Sequence, residues 1–511
     1  MMIEFKIEGK KQQDFADGHR MSMKAVGKKL TKPLIVIQIL AALMLPLKLK
    51  SEPVAKDAHP NIVIFVADDL GANDIGPYGN RVVRTPNLDA LAKESVLFSN
   101  AFASSPTCSP SRASIHTGLY PFRNGAHANH SGVNAGAKTL PAYLEALGYQ
   151  VGFAGKLHIG PMSSYPFELI HNTNIPEPGY ENKGVLWTDL NMGPVDEWLS
   201  GASKSDQPFL LVVNDHSPHV IWPEKAGYDA DEVDIPAIHI DTEATRKSRA
   251  RYYTDITKMD GNVGKLLNSL EKCGLQENTV VIFTADQGPQ WAFGKWNLYD
   301  YGIRVPLLIK WPGIAEGGTE MNALISLTDL VPTAIELAGG KSNAKENELD
   351  GKSLVPLLQG KVHDVHDLVF ASHTGDGTMN MAPMRMIRTK RYKYILNLAP
   401  EILYNTHMNK AKDHDGGREY WSTWVDQSYK SEHAASVLWR YHNRPEEELY
   451  DILNDPDERQ NLASDGHYKE VMEKFRSEMN GWREQQGDAE TGVYQAPQTK
   501  ERGPVIHYIF K

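Results

Sequence analysis

The sequence predicts an α/β fold: a doubly wound, mostly parallel sheet flanked by helices, with a smaller C-terminal α+β unit built on an antiparallel sheet. Three observations carry this. Short runs of β-branched and aromatic residues recur, each ending at once in polar or charged residues. Helical patterns lie between those runs. After about residue 365 the apolar pattern changes from continuous to alternating.

The runs are NIVIFVADD (61–69), YQVGFAGK (149–156), FLLVVNDH (209–216) and TVVIFTADQG (279–288). Continuous apolar strands are buried on both faces, as in a parallel sheet covered by helices. Between them, 85–95 reads as a helix, with Pro86 suited to a first turn and Leu88 and Leu91 on one face. Residues 139–148 read as a second helix, stopped by Gly148. Residues 243–273 place Tyr252, Ile256, Met259, Val263, Leu266, Leu267 and Leu270 on one stripe. A further strand is expected over 304–313 and a strand–helix unit over 323–340. Beyond these, 384–397 and 448–456 alternate like half-exposed strands, and 468–486 reads as a helix. The expected organisation is an N-terminal extension (1–58), a catalytic domain (59–365) and an α+β subdomain (366–511).

The 511 residues carry 54 Lys and Arg against 64 Asp and Glu, a net charge of −10. That balance argues against a general nucleic-acid binder, and no nucleic-acid partner is expected. The two cysteines, Cys108 and Cys273, give no disulfide framework. Lys28, Lys29 and Lys32 precede the apolar run 33–47, which reads as a signal peptide. Export to a periplasm or to the outside of the cell is therefore expected. Nothing in the sequence fixes an oligomeric state.

Ligands of doubly wound folds bind beyond the carboxyl ends of the strands. Asp68, Asp69, Lys156, His158, Asp215, His216, Asp286 and Gln287 all fall there. Three carboxylates at one locus repel unless a cation or protons neutralise them. Oxygen donors, with the amide of Gln287, suit a hard divalent ion such as Ca²⁺ or Mg²⁺, whereas zinc would want more nitrogen or sulfur. In TCSPSRAS (107–114), Cys108 opens a predicted helix, and a helix N-terminus favours the thiolate. A thiolate is a soft ligand, poorly matched to a hard ion.

Cys108-x-Pro110-Ser111-Arg112, extended by Ala113, Ser114, Thr117 and Gly118, resembles the signature of the type I sulfatase family. The resemblance implies an alkaline-phosphatase-like fold. It also implies that a formylglycine-generating or sulfatase-maturing enzyme oxidises Cys108 to formylglycine, an oxygen nucleophile that a hard ion tolerates. By the same resemblance, Asp68, Asp69, Asp286, Gln287 and residue 108 hold the metal, with Gln287 where the family usually has asparagine or histidine. Gly155-Lys156-Leu157-His158, His216-Ser217-Pro218-His219 and Lys295 match further family elements. The implied roles are support of the nucleophile by Arg112 and neutralisation of sulfate by Lys156. His216 or Lys295 would protonate the leaving group, and His158 would take the second hydroxyl proton. Stretches 108–125, 155–169, 383–398 and 448–463 are similar to the sulfamidase branch, although Lys295 stands where that branch tends to carry arginine. The implied reaction is release of sulfate from a sulfated saccharide, foremost the N-sulfate of glucosamine in heparin-type or heparan sulfate chains. An O-sulfatase, for example on 6-O-sulfated N-acetylglucosamine, is the alternative, and a phosphonate or phosphodiester hydrolase a more remote one. His219, His373, Asp376 and Arg385 are the expected substrate contacts.

Overall fold

A computed structural model describes residues 59–177, 188–341, 349–378, 380–410 and 418–495, which belong to one compact unit. The expected signal segment, 33–47, lies outside the described residues. Among those residues, no helix is long and apolar enough to cross a membrane.

The large sheet contains β1 (Asn61–Ala67), β2 (Val96–Phe102), β3 (Gln150–Gly155), β4 (Glu168–Leu169), β7 (Phe209–Asn214), β8 (Thr279–Ala285), β9 (Leu307–Lys310) and β10 (Thr319–Ser326). A two-stranded ribbon of β5 (Asn174–Pro176) and β6 (Thr188–Leu190) stands apart from it. The spatial order is β10-β2-β9-β8-β1-β7-β3-β4. Every residue of β1, β7 and β8 is buried, as their unbroken apolar sequences require. β1 lies parallel to both β7 and β8, with Ala67 opposite Ala285. The two strands therefore end level, and the residues after them emerge side by side.

β9 runs antiparallel to β8 and β2. The chain leaves β8 at the carboxyl edge and loops through 286–306. No long crossover helix carries it back before β9 begins, so the strand must run the other way. The other connections are helical. The helix Glu243–Lys272 begins at Thr242, whose hydroxyl accepts the Thr245 N–H at 3.1 Å. It buries Tyr252, Ile256, Met259, Val263, Leu266 and Leu270, six of the seven residues of the predicted stripe; Leu267 is half-buried.

The second sheet is antiparallel, in the order β11 (Val369–His373), β12 (Met384–Arg388), β13 (Tyr392–Asn397) and β14 (Glu447–Asp451). The helix Lys469–Gln486 lays Met472, Phe475, Met479 and Trp482 over Ile387, Tyr394 and Leu449. Trp482 also meets Tyr120, just past the Cys108 helix, edge to face at 5.5 Å between ring centroids. This apolar seam ties the C-terminal elements to the large-sheet layer. Two further helices, Arg418–Ser428 and Glu432–His442, bury Tyr420, Trp424 and Tyr441. Trp424 Nε1 donates to Thr245 Oγ1 at 2.8 Å, which docks the pair on the long helix.

Candidate active site

The site grows from the level ends of β1 and β8. Asp68 and Asp69 follow β1, and Asp286 and Gln287 follow β8. Asp286 Oδ1 accepts the backbone N–H of Asp69 at 3.1 Å and that of Gln287 at 2.9 Å, which locks the two ends together. Asp69 holds this turn with φ of 63°, a conformation rare outside glycine.

Cys108 is the first residue of the helix Cys108–Thr117, as predicted. Its Sγ lies 3.7 Å from Asp68 Oδ1, 3.8 Å from Asp69 Oδ1, 3.2 Å from Gln287 Nε2 and 3.8 Å from Lys156 Nζ. One ligand atom each of Asp68, Cys108 and Asp286 falls within 4.8 Å of the others, and so do those of Asp69, Cys108 and His219. The sequence thus brings distant segments to one point.

Three fixed cations balance the three carboxylates. Arg112 lies one turn after Cys108 on the same helical face. Its Nε reaches Asp286 Oδ2 at 2.9 Å, Nη2 reaches Asp68 Oδ1 at 3.3 Å, and Nη1 donates to Asn214 Oδ1 at 2.9 Å. Lys156 Nζ pairs with Asp68 Oδ2. Lys295 Nζ pairs with Asp69 Oδ2 at 2.7 Å and donates to Gln290 Oε1 at 3.3 Å. Arg112, Lys156 and Lys295 are at most 3% exposed, so these charges depend on each other rather than on water. Gly155 (φ 80°) makes the placement of Lys156 feasible, because a Cβ there would sit 1.9 Å from the Asn214 carbonyl oxygen.

Burial works against the charge of Asp68, yet Lys156, His219 and Arg112 hold its carboxyl well below the usual range. Asp286 goes the other way, to about 7. Burial pushes it up, Arg112 opposes, and Asp68 and Asp69 add repulsion. Arg112, shared with Asp68, is the cation paired with Asp286. Gln287 Oε1 is buried with no hydrogen-bond partner. A half-turn of that amide exchanges Oε1 for Nε2. Carboxylate oxygens with a spare amide oxygen form the donor set of a hard divalent cation, and Asp68, Asp69, Asp286 and Gln287 fit one.

The thiolate expectation for Cys108 is corrected. Burial pushes its thiol up to about 12. Lys156 and Lys295 oppose this, but Asp68 and Asp286 reinforce it. The helix N-terminus and two lysines do not outweigh desolvation beside carboxylates, so the unmodified side chain stays a thiol at neutral pH and is a poor nucleophile.

His216 and His219 border this cluster. His216 Nε2 lies 2.6 Å from Asn174 Oδ1, and burial with the charge of Lys156 pushes its pKa well down. His219 Nε2 lies 3.6 Å from Asp69 Oδ2, its pKa also lowered, first by burial and then by Lys295. His158 Nε2 lies 3.1 Å from His130 Nδ1.

Some strand-end and loop candidates are placed otherwise. Asp215 turns into its own loop, where Oδ1 accepts the N–H groups of His216 (2.7 Å) and Ser217 (3.1 Å) and Oδ2 accepts Asn262 Nδ2 (2.9 Å). Arg385 is fully buried. Its five N–H groups meet Asp488, Glu490 and the carbonyls of His373 and Met384, at 2.6–3.0 Å. None is left for a sugar, and Arg385 instead clamps the segment after the last helix onto β11 and β12. Asp376, also expected at the substrate, is engaged by the protein: its Oδ2 accepts Asn129 Nδ2 and Trp296 Nε1 at 2.8 Å each, and its Oδ1 lies 3.3 Å from His130 Nε2, which also lies 3.3 Å from Asn129 Nδ2. His373 is buried at the end of β11, and burial pushes its pKa down to about 4. Sequence reasoning missed Asn129, His130, Asn174, Asn214 and Trp296. The local signals were the polar stretch HANH (127–130) for Asn129 and His130, and the polar strand end NDH (214–216) for Asn214.

A doubly wound sheet with buried carboxylates, lysines and an arginine at its carboxyl edge matches the alkaline-phosphatase-like fold that the resemblance implied. Residues 60–340 match the Sulfatase family model, and residues 288–413 match the model described as N-sulphoglucosamine sulphohydrolase, C-terminal. The chain belongs to the sulfatase family and is a sulfuric ester hydrolase. It is 33% identical over 434 residues to an ulvan-active sulfatase of Formosa agariphila, covering 84% of this chain and 81% of that one. It is 31% identical over 468 residues to human N-sulphoglucosamine sulphohydrolase, covering 83% and 89%. Among solved structures, a protein in complex with its substrate D-glucosamine-2-N,6-O-disulfate superposes with a TM-score of 0.61 at 19% identity, covering 84% of this chain and 99% of that one. The phosphonate monoester hydrolase of Agrobacterium radiobacter superposes with a TM-score of 0.61 at 20% identity, covering 84% and 96%. These last two likenesses are of fold.

Proposed function

We propose that this enzyme removes sulfate from a sulfated sugar, foremost the N-sulfate of a glucosamine in a heparin-type saccharide. The observation that carries the sulfate reading is Cys108, set between Lys156 and the carboxylates Asp68 and Asp69 at the start of a buried helix. The amino sugar is supported by the relative named N-sulphoglucosamine sulphohydrolase and by the C-terminal match over 288–413. Lysine at 295, which lacks the planar fork of arginine, favours a second reading, an O-sulfate on a sugar.

A divalent cation, Ca²⁺ or Mg²⁺, held by Asp68, Asp69, Asp286 and Gln287, supplies positive charge for the sulfate oxygens. Oxidation of Cys108 to formylglycine, by a maturation enzyme of the host, replaces an inert thiol with an oxygen nucleophile. The chain's own groups do the rest. The ammonium groups of Lys156 and Lys295 lie beside Asp68 and Asp69 and stabilise charge that grows on the sulfate oxygens. Arg112 keeps Asp286 and Asp68 oriented at residue 108. His216 or Lys295 donates a proton to the departing amine or alcohol, and His158 takes the second hydroxyl proton of residue 108. Residues 1–58 direct export, as a basic flank before an apolar run suggests.

A panel of defined substrates tests the specificity. Sulfate is expected from N-sulfoglucosamine, with a kcat/KM at least about tenfold above that on 6-O-sulfated N-acetylglucosamine. Release from the O-sulfate alone would replace the first reading by the second. A preference for aryl phosphate diesters over both sugars would remove the sulfate reading.

A further inference from the structure

A cleft of about 520 Å³ lies outside the site at residue 108, and none of the groups assigned to the metal or the chemistry lines it. Its walls nevertheless continue from the catalytic loops. Gly71 to Asp74 follow Asp68 and Asp69 in the chain, and Phe293 and Tyr299 flank Lys295. The Ala72 N–H donates to the Arg304 carbonyl at 3.2 Å, which joins the first of these walls to the chain entering β9. The turn between β12 and β13, the helix Glu432–His442 and residues 452–458 close the rest. Pockets of about 300–1,000 Å³ are the size that holds small ligands.

Most charges in this lining neutralise one another. Asp74 pairs with Arg249 at 2.8 Å, Asp300 with Arg388 at 3.0 Å and Glu458 with the buried Lys393 at 2.9 Å. Asp234 accepts the Tyr253 hydroxyl and lies 3.7 Å from Arg249, and Lys390 pairs with Asp364. Two arginines are left over. Among the described residues, no carboxylate pairs with Arg304 or Arg440, and the acid of the lining without an ion-pair partner is Asp457, which is exposed to solvent.

Both of these guanidiniums are half-buried and pinned. Arg304 Nε donates to the Ser99 carbonyl at 2.9 Å and Nη1 to Asn73 Oδ1 at 2.8 Å. Arg440 Nη1 donates to the Glu458 carbonyl at 2.6 Å, and its guanidinium lies over the Phe293 ring at 4.3 Å. Arg304 Nη2 and Arg440 Nε and Nη2 have no protein acceptor among the described residues. A pinned planar fork with N–H groups to spare suits an oxyanion such as sulfate or carboxylate.

The rest of the lining asks for more than a bare anion. Asn100 donates through Nδ2 to the Asn322 carbonyl at 3.1 Å, which leaves its Oδ1 as an acceptor, and the Asp457 carboxylate is a second. Tyr301 is half-buried, and Leu453 is 70% exposed. A sulfated saccharide offers anionic groups to the arginines, hydroxyl donors to the acceptors and C–H faces to Tyr301 and Leu453.

We propose that this cleft is a second, non-catalytic saccharide site, in which Arg304 and Arg440 hold the sulfate or carboxylate groups of a sulfated chain. The choice of saccharide rests on the proposed function, since an enzyme that cuts one sulfate from such a chain meets others on it.

The test counts binding sites. Full-length Cys108→Ala protein, which cannot turn the sugar over, is titrated calorimetrically with a heparin-derived tetrasaccharide, and so is the same protein carrying Arg304→Met and Arg440→Met. The first should bind one equivalent more per chain than the second, with little difference in melting temperature. Arg440→Lys, which keeps the charge but loses the fork, should weaken that equivalent about tenfold. It serves as the folded control should the double variant unfold. Inorganic sulfate at the concentration of the tetrasaccharide should leave the equivalent in place. Equal stoichiometry in the two proteins, or an unchanged affinity in Arg440→Lys, overturns the second site. Displacement by inorganic sulfate overturns the saccharide as its ligand. Either result, beside sulfate release by the unaltered enzyme, leaves the proposed function standing. Failure of the unaltered, matured enzyme to release sulfate from any sugar overturns both.

Discussion

Cys108→Ala is expected to abolish turnover, lowering kcat/KM on the sulfated sugar by about 10⁴-fold or more, the scale seen when a covalent nucleophile is removed. The side chain is buried at the head of its helix, within 4 Å of Asp68, Asp69, Lys156 and Gln287. No other nucleophilic side chain among the described residues occupies that point. The fold should survive, because alanine suits a helix start and removes one sulfur atom beside carboxylates that Arg112, Lys156 and Lys295 still neutralise. The melting temperature should fall by only a few degrees. Paired measurements of sulfate release and thermal unfolding check this. A variant within tenfold of the parent would remove residue 108 from the chemistry, and an unfolded one would make its role structural.

Arg112→Met is expected to be the most destabilising substitution in the site. The guanidinium is 1% exposed and meets Asp286, Asp68 and Asn214. Methionine fills similar space but leaves Asp68 and Asp286 with one buried cation fewer. Breaking a buried ion pair from one side costs about 3–5 kcal/mol. Thermal unfolding in a chelator should show the full loss. Saturating Ca²⁺ should recover part of it, since an ion bound only by the folded state shifts the equilibrium toward folding. Arg112→Lys should lie between, retaining charge but not the three-way fork. A melting temperature unchanged by Arg112→Met in chelator would mean that the carboxylates are neutralised by their own protons instead.

The central strands were legible because β1, β7 and β8 are buried on both faces, and burial writes itself into unbroken apolar runs. Asp68, Asp69, Asp286 and Gln287 were legible as a set because parallel strands in register end level, which brings local motifs together without further information. The direction of β9 was not legible, since periodicity carries no sense of direction. β2 was missed because Ser99 and Asn100 interrupt its apolar pattern. The fates of Arg385 and Asp376 depended on partners far along the chain, Asp488 and Glu490 for one and Asn129, His130 and Trp296 for the other. No spacing near either residue records such contacts. The thiol of Cys108 was misjudged for a related reason. A helix start is a local signal, but the desolvation and neighbouring carboxylates that overrule it come from the assembled site.

The account turns on residue 108 being converted from a buried thiol into an oxygen nucleophile. Trypsin cleaves after Lys93 and Arg112, so one peptide, Glu94–Arg112, reports on it. In enzyme that releases sulfate, its mass should be that of the aldehyde, with the sulfur of Cys108 exchanged for oxygen and two hydrogens lost. The same peptide carrying only unmodified cysteine, in a preparation of full activity, would contradict the account.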